Sequence, residues 1–267
     1  MDLKALALET ARIVEAGAYT NEKGERVELR PHIEAARSGI RLYRPGQLRA
    51  VPSPPGAQGP PRIEVTGEST MEAAYRLARE GEEDVAVLNF ASALEPGGGW
   101  LRVAAAQEEA LARASALVAC LEQAPGYYAA NRTPPSDRYT DHVIHSPRVP
   151  FFRDERHRPL DAPIFLSVLS APAPYAGGSL DRPSLRLTLE RRASVVLAVA
   201  ADQRHPVLVL GAWGCGAFRN NPEDVAGVFA GLLRHAAFSR PFRRIVFAVL
   251  SPEGDSPNLA AFRRAFA

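Results

Sequence analysis

Apolar residues recur along the chain in short continuous runs, separated by segments in which they are spaced three or four positions apart. The continuous runs predict buried strands at residues 63–66, 85–90, 164–171, 207–210 and 245–250. The wider spacing predicts helices at residues 3–16, 32–37, 69–79, 107–122, 184–201, 222–235 and 258–266. Strands that alternate with helices indicate an α/β fold, with helices on both faces of the sheet.

Local signals support several of these helix boundaries. Ser69 followed by Glu72 has the spacing of a capping box. Asn221 and Pro222 suit the cap and the first turn of the helix that follows them. Gly17 can end the first helix. These residues place helix starts and ends where the apolar pattern also changes.

Proline is concentrated in two segments that we predict to be irregular. Residues 51–61 read VPSPPGAQGPP, which favours an extended loop because proline has no amide donor for a sheet. We expect this loop to separate an N-terminal helical extension, residues 1–60, from a core of residues 61–267. Residues 125–163 are rich in Pro, Arg and His, and they predict long connections with one strand near 142–145.

The charge balance, the cysteine content and the apolar stretches of the chain argue against several classes of protein. The chain has 267 residues, with 32 Lys plus Arg against 30 Asp plus Glu, and this near balance argues against a dedicated nucleic-acid binder. Its two cysteines, Cys120 and Cys215, form no Cys-x-x-Cys motif and predict a reduced, cytoplasmic setting. The uncharged stretch 205–218 is too short for a bilayer span, and charges in the first apolar run argue against a secretory signal.

Two glycine-rich loops follow predicted strands. The first contains Gly97, Gly98 and Gly99, and the second contains Gly211, Gly214 and Gly216. Ligands of such sheets bind beyond the carboxyl ends of strands, where backbone amides without side chains can approach a sugar or a phosphate. A flexible turn is the alternative for the first loop alone. The GxxGxG spacing of the second differs from the GxGxxG of nicotinamide-dependent oxidoreductases.

The helix after the first loop begins with Gln107, Glu108 and Glu109. Acidic residues are favoured at this end of any helix by its dipole, so their presence alone does not indicate catalysis. Adjacent helical residues point about 100° apart, so the two carboxyl groups do not straddle one bond as a usual carboxylate pair does. If they act together, one transfers a proton and the other holds a hydroxyl group.

The order of these motifs resembles that of the bacterial-type poly(ADP-ribose) glycohydrolases: LNFAS, PGGGW, seven further residues and QEE. The resemblance extends to four other blocks: ALALETARIVEAGAYT at 5–20, VPFFRDE at 149–155, SVLSAPAP at 167–174 and VLGAWGCGAFRNNP at 209–222. It implies a macrodomain-like mixed sheet between helices and hydrolysis of the ribose–ribose O-glycosidic bond. One departure is Val103, where the family pattern has glycine.

The resemblance also implies roles for individual residues. Glu109 is the implied general acid and later base, Glu108 positions ribose hydroxyl groups, and Gln107 supports the loop. The implied substrate-binding residues of the two loops are Gly97, Gly98, Gly99, Gly211, Gly214, Cys215, Gly216, Ala217 and Phe218. A core position is the alternative for Phe218. Asn89 is expected either to bind a ribose hydroxyl group or to cap its strand.

The implied partners are poly(ADP-ribose), ADP-ribose and ADP-ribosylated proteins, with no cofactor, membrane or direct nucleic-acid partner. We expect no metal, because His142 and His145 lack a third ligand at a suitable spacing. A solvated rim is expected to contain Arg148, Arg153, Arg156 and Arg158, with the attraction of a polyanion as the alternative role of this cluster. Trp213 is expected in the core. Two alternatives stay open: a macrodomain that binds ADP-ribose without cleaving it, and a hydrolase of mono-ADP-ribosyl protein.

The protonation of Glu109 presents two opposing effects. A helix N-terminus lowers a carboxyl pKa, whereas a general acid must be protonated near neutral pH. Burial under the substrate and the nearby diphosphate charge raise that pKa. We predict that these second effects dominate in the complex.

Overall fold

The computed structural model describes residues 2–48, 59–102, 104–133 and 138–267. Its strands in that part of the chain are β1 (Ala18–Thr20), β2 (Arg26–Glu28), β3 (Arg41–Tyr43), β4 (Arg62–Thr66), β5 (Val85–Phe90), β6 (Val143–Arg153), β7 (Pro159–Ala171), β8 (Val207–Gly211) and β9 (Arg244–Ala248). Its α-helices are α1 (Leu3–Ala16), α2 (Arg30–Ser38), α3 (Thr70–Arg79), α4 (Gln107–Ala114), α5 (Leu117–Leu121), α6 (Pro125–Arg132), α7 (Arg182–Asp202), α8 (Pro222–Leu233), α9 (Ala236–Ser239) and α10 (Pro257–Ala265). A 3₁₀ helix spans Trp100–Arg102.

The main sheet has the strand order β3-β6-β7-β5-β8-β9-β4. The strands from β7 to β4 in that order pair in parallel, whereas β6 is antiparallel to both of its neighbours. The predicted mixed α/β sheet is therefore confirmed. Strands β1 and β2 form a separate antiparallel pair.

Helices cover both faces of the sheet. On β5, Val85 and Val87 belong to the apolar cluster that includes residues of α2 to α6, and Ala86 and Leu88 belong to the cluster with α7, α8 and α10. Burial of both faces explains why the strands are continuous apolar runs rather than alternating ones. Within the described ranges, no helix is long and apolar enough to cross a membrane.

The first helix packs beside the first glycine-rich loop. Its Ala7 lies in a small buried cluster with Trp100 and Ala112. Thr10 Oγ1 donates a hydrogen bond of 2.6 Å to the carbonyl of Arg113, at the end of α4. Helix α1 thus contacts the elements on either side of that loop. The predicted division at residue 60 lies just after residues 49–58, which are outside the described ranges, and it stays a prediction.

The prediction of long irregular connections over 125–163 is wrong, whereas the strand predicted near 142–145 is present as the start of β6. This stretch contains helix α6 and most of the long antiparallel pair β6–β7. The prolines are tolerated because Pro147 lies at a register shift between Ser146 and Val149, and Pro159 begins its strand. Pro150 pairs within the strand while its carbonyl accepts a hydrogen bond from Ala116.

The predicted helix 107–122 is divided in two. Ser115 has an extended backbone and forms an isolated bridge with Phe151, so α4 ends and α5 begins where the chain touches β6. The short strands β1, β2 and β3 were not predicted. Val103 and the predicted loop at 51–61, apart from its last three residues, lie outside the described residues.

Arg153 departs from the predicted rim. It lies within β6 and is 1% exposed, and residues of α1 and β1 lie beside that part of the strand. Arg148, Arg156 and Arg158 are exposed as predicted. Trp213 is fully buried, with Nε1 donating to the Ala171 carbonyl at 3.1 Å, which confirms its predicted place in the core.

Candidate active site

A cavity of about 600 Å³ lies at the ends of β5, β8 and β9, between the two glycine-rich loops. The predicted site residues that line it are Gly98, Gly99, Gln107, Glu108, Glu109, Gly214, Gly216, Ala217 and Phe218. The remaining four, Asn89, Gly97, Gly211 and Cys215, are not among its lining residues. The fold therefore brings the two loops together across one cavity.

Glycine in the first loop permits the close approach of two carboxyl groups. Gly98 has φ +59°, and a Cβ atom there would lie 2.5 Å from Glu109 Oε1 and 3.0 Å from Glu108 Oε2. Any side chain would displace these groups. Gly97, with φ +72°, packs against Val118, so its requirement for glycine comes from the backbone and the core.

Glu109 has one engaged oxygen and one unpartnered oxygen. Oε1 accepts a hydrogen bond of 2.9 Å from the amide of Gly99. Oε2 is buried without any hydrogen-bond partner, although the side chain lines the cavity. Buried polar atoms are rarely left unpaired, and an exception indicates strain, an unseen ligand or a catalytic role. The hydrogen bond from Gly99 therefore fixes the carboxyl group, and Oε2 is left without a hydrogen bond to the protein.

Both oxygens of the neighbouring Glu108 are engaged by the protein. Oε1 accepts from Asn89 Nδ2 at 3.2 Å, and Oε2 accepts from the Ser92 amide at 2.6 Å. Burial raises the pKa of Glu108 to about 8, against the opposing effect of these hydrogen bonds. Glu108 is thus held more firmly than Glu109 and in a more strongly desolvated position.

Asn89 lies behind Glu108. It is fully buried, and its Nδ2 also donates to Ser170 Oγ at 3.0 Å. In this arrangement its contacts are to the protein, and it orients Glu108 from the end of β5.

Gln107 connects three elements at the start of α4. Its Nε2 donates to the Leu88 carbonyl at 2.7 Å and to Thr70 Oγ1 at 3.1 Å. Its Oε1 accepts from the Phe90 amide at 2.9 Å. The side chain therefore ties the helix that carries both glutamates to the end of β5 and the start of α3.

The second loop is shaped by close contacts. A Cβ atom on Gly211 would lie 2.4 Å from the Ala248 carbonyl oxygen, so glycine is needed there for the approach of β9. Gly214 has φ +74° and fits against Ala173 and Asn220. Asn220 Nδ2 in turn donates to the Pro174 and Gly214 carbonyls at 2.8 and 3.1 Å.

Cys215 does not have the environment of a nucleophile. Burial raises the pKa of its thiol to about 12, so the reactive thiolate is disfavoured. This agrees with its interpretation as a small residue within a tight loop.

Phe218 is half-buried and lines the cavity. Its ring centroid lies 5.8 Å from that of Tyr139 and 6.1 Å from that of Tyr175, the second at an interplanar angle of 89°. These aromatic neighbours hold the ring beside the second loop. The side chain also contacts the core cluster, so both sequence interpretations describe part of its position.

The sequence analysis missed several lining residues, namely Thr70, Ser92, Glu95, Arg102, Leu250 and Asn258. Ser92 belongs to the LNFAS block, and that block was the available signal for its position. Glu95 and Arg102 form an exposed ion pair within the first loop. Their place at the cavity follows from the path of the loop, which no local pattern encodes.

The described residues contain no group of three or more His, Cys, Asp or Glu side chains that could hold a metal ion. The expectation of a reaction without metal stays a prediction. The groups that the protein itself supplies to this cavity are its carboxyl groups and the amides of its two loops.

A family model and several solved structures that are similar to this chain all describe the same kind of enzyme. A family model described as microbial-type PARG, catalytic domain, matches residues 7–154, more than half of the chain. The poly(ADP-ribose) glycohydrolase (PARG) of Thermomonospora curvata is 44% identical, with 99% of each chain covered and a TM-score of 0.92. The T. curvata enzyme bound to the inhibitor ADP-HPD is 45% identical, with 98% of each chain covered and a TM-score of 0.91.

The PARG of Deinococcus radiodurans in complex with ADP-ribose is 44% identical, covering 88% of this chain and 97% of that one, with a TM-score of 0.79. The search of curated proteins gave no match. The family match and the whole-chain structural similarity confirm the resemblance found in the sequence: the chain belongs to the microbial-type poly(ADP-ribose) glycohydrolase family.

Proposed function

We propose that this chain hydrolyses the ribose–ribose O-glycosidic bonds of poly(ADP-ribose) and releases ADP-ribose, with Glu109 as general acid and base. Family membership supports the reaction class. The observation that carries the assignment of Glu109 is its asymmetry: Oε1 is anchored by the Gly99 amide, and Oε2 lies unpartnered beside the cavity.

In the proposed complex the two loops bind different parts of the substrate. The second loop, with its backbone amides and the start of α8, suits the diphosphate, because these groups present partial positive charge. The first loop then lies beside the ribose whose bond is cleaved. Phe218, beside the second loop, is suited to pack on the nucleotide.

The reaction requires a proton at the departing oxygen. As the glycosidic bond breaks, an oxocarbenium-like transition state forms and negative charge grows on the leaving ribose hydroxyl. Glu109 gives its proton to that oxygen, a contribution of about 10²–10⁴ in rate. The resulting carboxylate then takes a proton from the water that attacks the anomeric carbon.

Glu108 has a different part in this proposal. Hydrogen bonds from Asn89 and Ser92 fix its carboxyl group, and the group lines the cavity. A fixed acceptor of this kind suits a ribose hydroxyl and aligns the sugar with Glu109.

The same cavity suits two other functions, a reader of ADP-ribose and a hydrolase of mono-ADP-ribosyl protein. The unpartnered oxygen of Glu109 favours an enzyme over a reader, because a reader gains nothing from an acid held in this way. Poly(ADP-ribose) and ADP-ribosylated proteins are the proposed partners. The two free thiols support a reducing, cytoplasmic location.

The test is to incubate the protein separately with poly(ADP-ribose) and with a mono-ADP-ribosylated protein, and to measure free ADP-ribose by chromatography. We expect release from the polymer. Binding of the polymer without release would support the reader instead, and release from the mono-ADP-ribosylated protein alone would support the other hydrolase.

A further inference from the structure

A second cavity, of about 310 Å³, lies between α1, strand β1 and the end of β6. Its walls include Glu9 and Arg12 of α1, Tyr19 of β1, and Phe152 and Arg153 of β6. Helix α1 separates it from the first glycine-rich loop, because Ala7 and Thr10 on this helix contact Trp100 and Arg113. The proposed reaction does not use this cavity.

The wall of this cavity contains an almost completely buried arginine, Arg153. It is 1% exposed, and its Nε and Nη2 atoms are buried without a hydrogen-bond partner. A buried guanidinium group is costly unless hydrogen bonds and an opposite charge compensate it. Desolvation lowers its pKa, although arginine stays charged in proteins. The unused donors lie in the wall of a cavity large enough for a small ligand.

The compensation that Arg153 does receive comes from Glu9, whose Oε1 lies 3.2 Å from Nη2. The side chain of Glu9 is 59% exposed, so it can rotate away into solvent. The Arg153 guanidinium also lies over the ring of Phe152, with 5.6 Å from Cζ to the centroid. Glu9 thus places a carboxylate oxygen near the Arg153 guanidinium, which still has N–H donors without a hydrogen-bond partner.

Arg12 adds a second positive charge to the same cavity. It lies three residues after Glu9 on α1, which places both on one side of the helix. Its side chain makes no ion pair with any residue of the described ranges. The cavity lining therefore carries two arginines and one exposed glutamate, which gives its walls a net positive charge.

We infer that this cavity is an oxyanion site that takes a phosphate group, which displaces the Glu9 carboxylate and pairs with Arg153 and Arg12. Guanidinium forks match the oxygens of a phosphate group, and a second oxyanion oxygen can reach donors that Glu9 leaves unused. The group belongs either to a distant unit of a bound poly(ADP-ribose) chain or to a free phosphate. The first source rests on the proposed function, and the site itself does not.

Titration calorimetry with inorganic pyrophosphate tests the site, with ADP-ribose present at saturation to occupy the first cavity. We expect pyrophosphate to bind the full-length protein. Glu9→Ala should tighten this binding and Arg12→Ala should weaken it, each by about three- to five-fold, as expected for one partly exposed charge.

Matched controls are available on the same helix. Glu15→Ala and Lys4→Ala remove the same charges from α1 outside the cavity, and we expect affinity within about two-fold of the unchanged protein. All four side chains are exposed, and among them Glu9 pairs with the buried Arg153, so the fold of Glu9→Ala is checked by its thermal unfolding before the titration. Absence of pyrophosphate binding, or equal effects of the cavity variants and their controls, would overturn the inference.

Steady-state kinetics identify the source of the phosphate. If it belongs to the polymer, Arg12→Ala raises KM for long chains several-fold, while kcat and the KM for an ADP-ribose dimer do not change. If KM for long chains is unaltered although pyrophosphate binding is weakened, the ligand is a free phosphate. Because the calorimetry needs no turnover, a failure of the proposed function would leave the site intact.

Discussion

A Cβ atom on Gly98 would lie 2.5 Å from Oε1 of Glu109, and Gly98 has φ +59°. The backbone of the first loop and the proposed acid are therefore in direct contact. We predict that Gly98→Ala lowers kcat on poly(ADP-ribose) by about 100-fold, because displacement of a catalytic group by about 1 Å has an effect of this size.

The matched control for Gly98→Ala is Gly227→Ala, in α8, where a new Cβ atom meets nothing within 4 Å. Steady-state kinetics of both variants check the prediction. We expect the control to keep wild-type kcat, and a Gly98→Ala enzyme with wild-type kcat would show that the contact is unimportant.

Phe218 offers a test of nucleotide binding that is separate from catalysis. Its ring lines the cavity and is held by Tyr139 and Tyr175. We predict that Phe218→Ala weakens ADP-ribose binding by about ten-fold, equivalent to the loss of about 1.4 kcal/mol of aromatic contact. Calorimetry with ADP-ribose checks this, with Phe238→Ala as a control on the same core cluster but outside the cavity. Unchanged affinity would assign Phe218 to the core alone.

The raised pKa of Glu108 predicts a dependence of stability on pH. Burial raises this pKa from 4.5 to about 8, so the folded protein binds more protons than the unfolded chain between these values. The contribution is therefore complete below pH 4.5 and is lost as pH rises toward 8, by at most about 1.4 kcal/mol per pH unit.

Urea unfolding of the wild type and of Glu108→Gln between pH 5 and 8 measures this slope. The carboxyl group of Glu108 accepts from two donors, Asn89 Nδ2 and the Ser92 amide, so the NH₂ group of glutamine faces one of them and the variant loses stability at every pH. The slopes rather than the absolute values are therefore compared. We expect a flatter slope in Glu108→Gln and an unchanged one in Glu190→Gln, at an exposed position on α7. Equal slopes in all three proteins would contradict the prediction.

A buried histidine pair predicts the opposite dependence at lower pH. His145 Nε2 lies 2.9 Å from His205 Nε2, and burial followed by the charge of His205 lowers the pKa of His145 from 6.5 to about 3. The unfolded chain then binds more protons than the folded one between these values. Stability from this source is complete above pH 6.5 and is lost as pH falls toward 3.

Unfolding free energies of His145→Gln and wild type, measured between pH 4 and 7, check the effect of the pair. Glutamine can still bond to His205 but does not titrate, so the difference between the two proteins should shrink as pH falls. A difference that is constant with pH would show that His145 does not control acid stability.

Some of the fold could be predicted from local signals. Strand β5 has the predicted bounds Val85–Phe90, and Ser69 and Glu72 form the predicted capping box. Both features depend on residues within a few positions of one another. The long strands β6 and β7 could not be predicted in this way, because their prolines are accommodated by a register shift and by strand ends that only the paired sheet defines.

The residues of the site could be predicted from the sequence, but the hydrogen bonds among them could not. The motifs located both loops and both glutamates, yet the sequence does not show which carboxyl oxygen stays unpartnered. That depends on the amides of Ser92 and Gly99, ten or more residues away from Glu108 and Glu109. Arg153 is a similar case, since arginine is rarely buried and only the packing of α1 on β6 encloses it.

The most direct test of the account is kcat of Glu109→Gln on poly(ADP-ribose), measured with its affinity for ADP-ribose. Glutamine keeps an oxygen for the Gly99 amide but has no acidic proton to donate. We predict that kcat falls by about 10²–10⁴ while the Kd for ADP-ribose stays within about three-fold. Glu122→Gln, at the exposed position that follows α5, should change neither. A Glu109→Gln enzyme that keeps wild-type kcat would contradict the assignment of Glu109 as the proton donor.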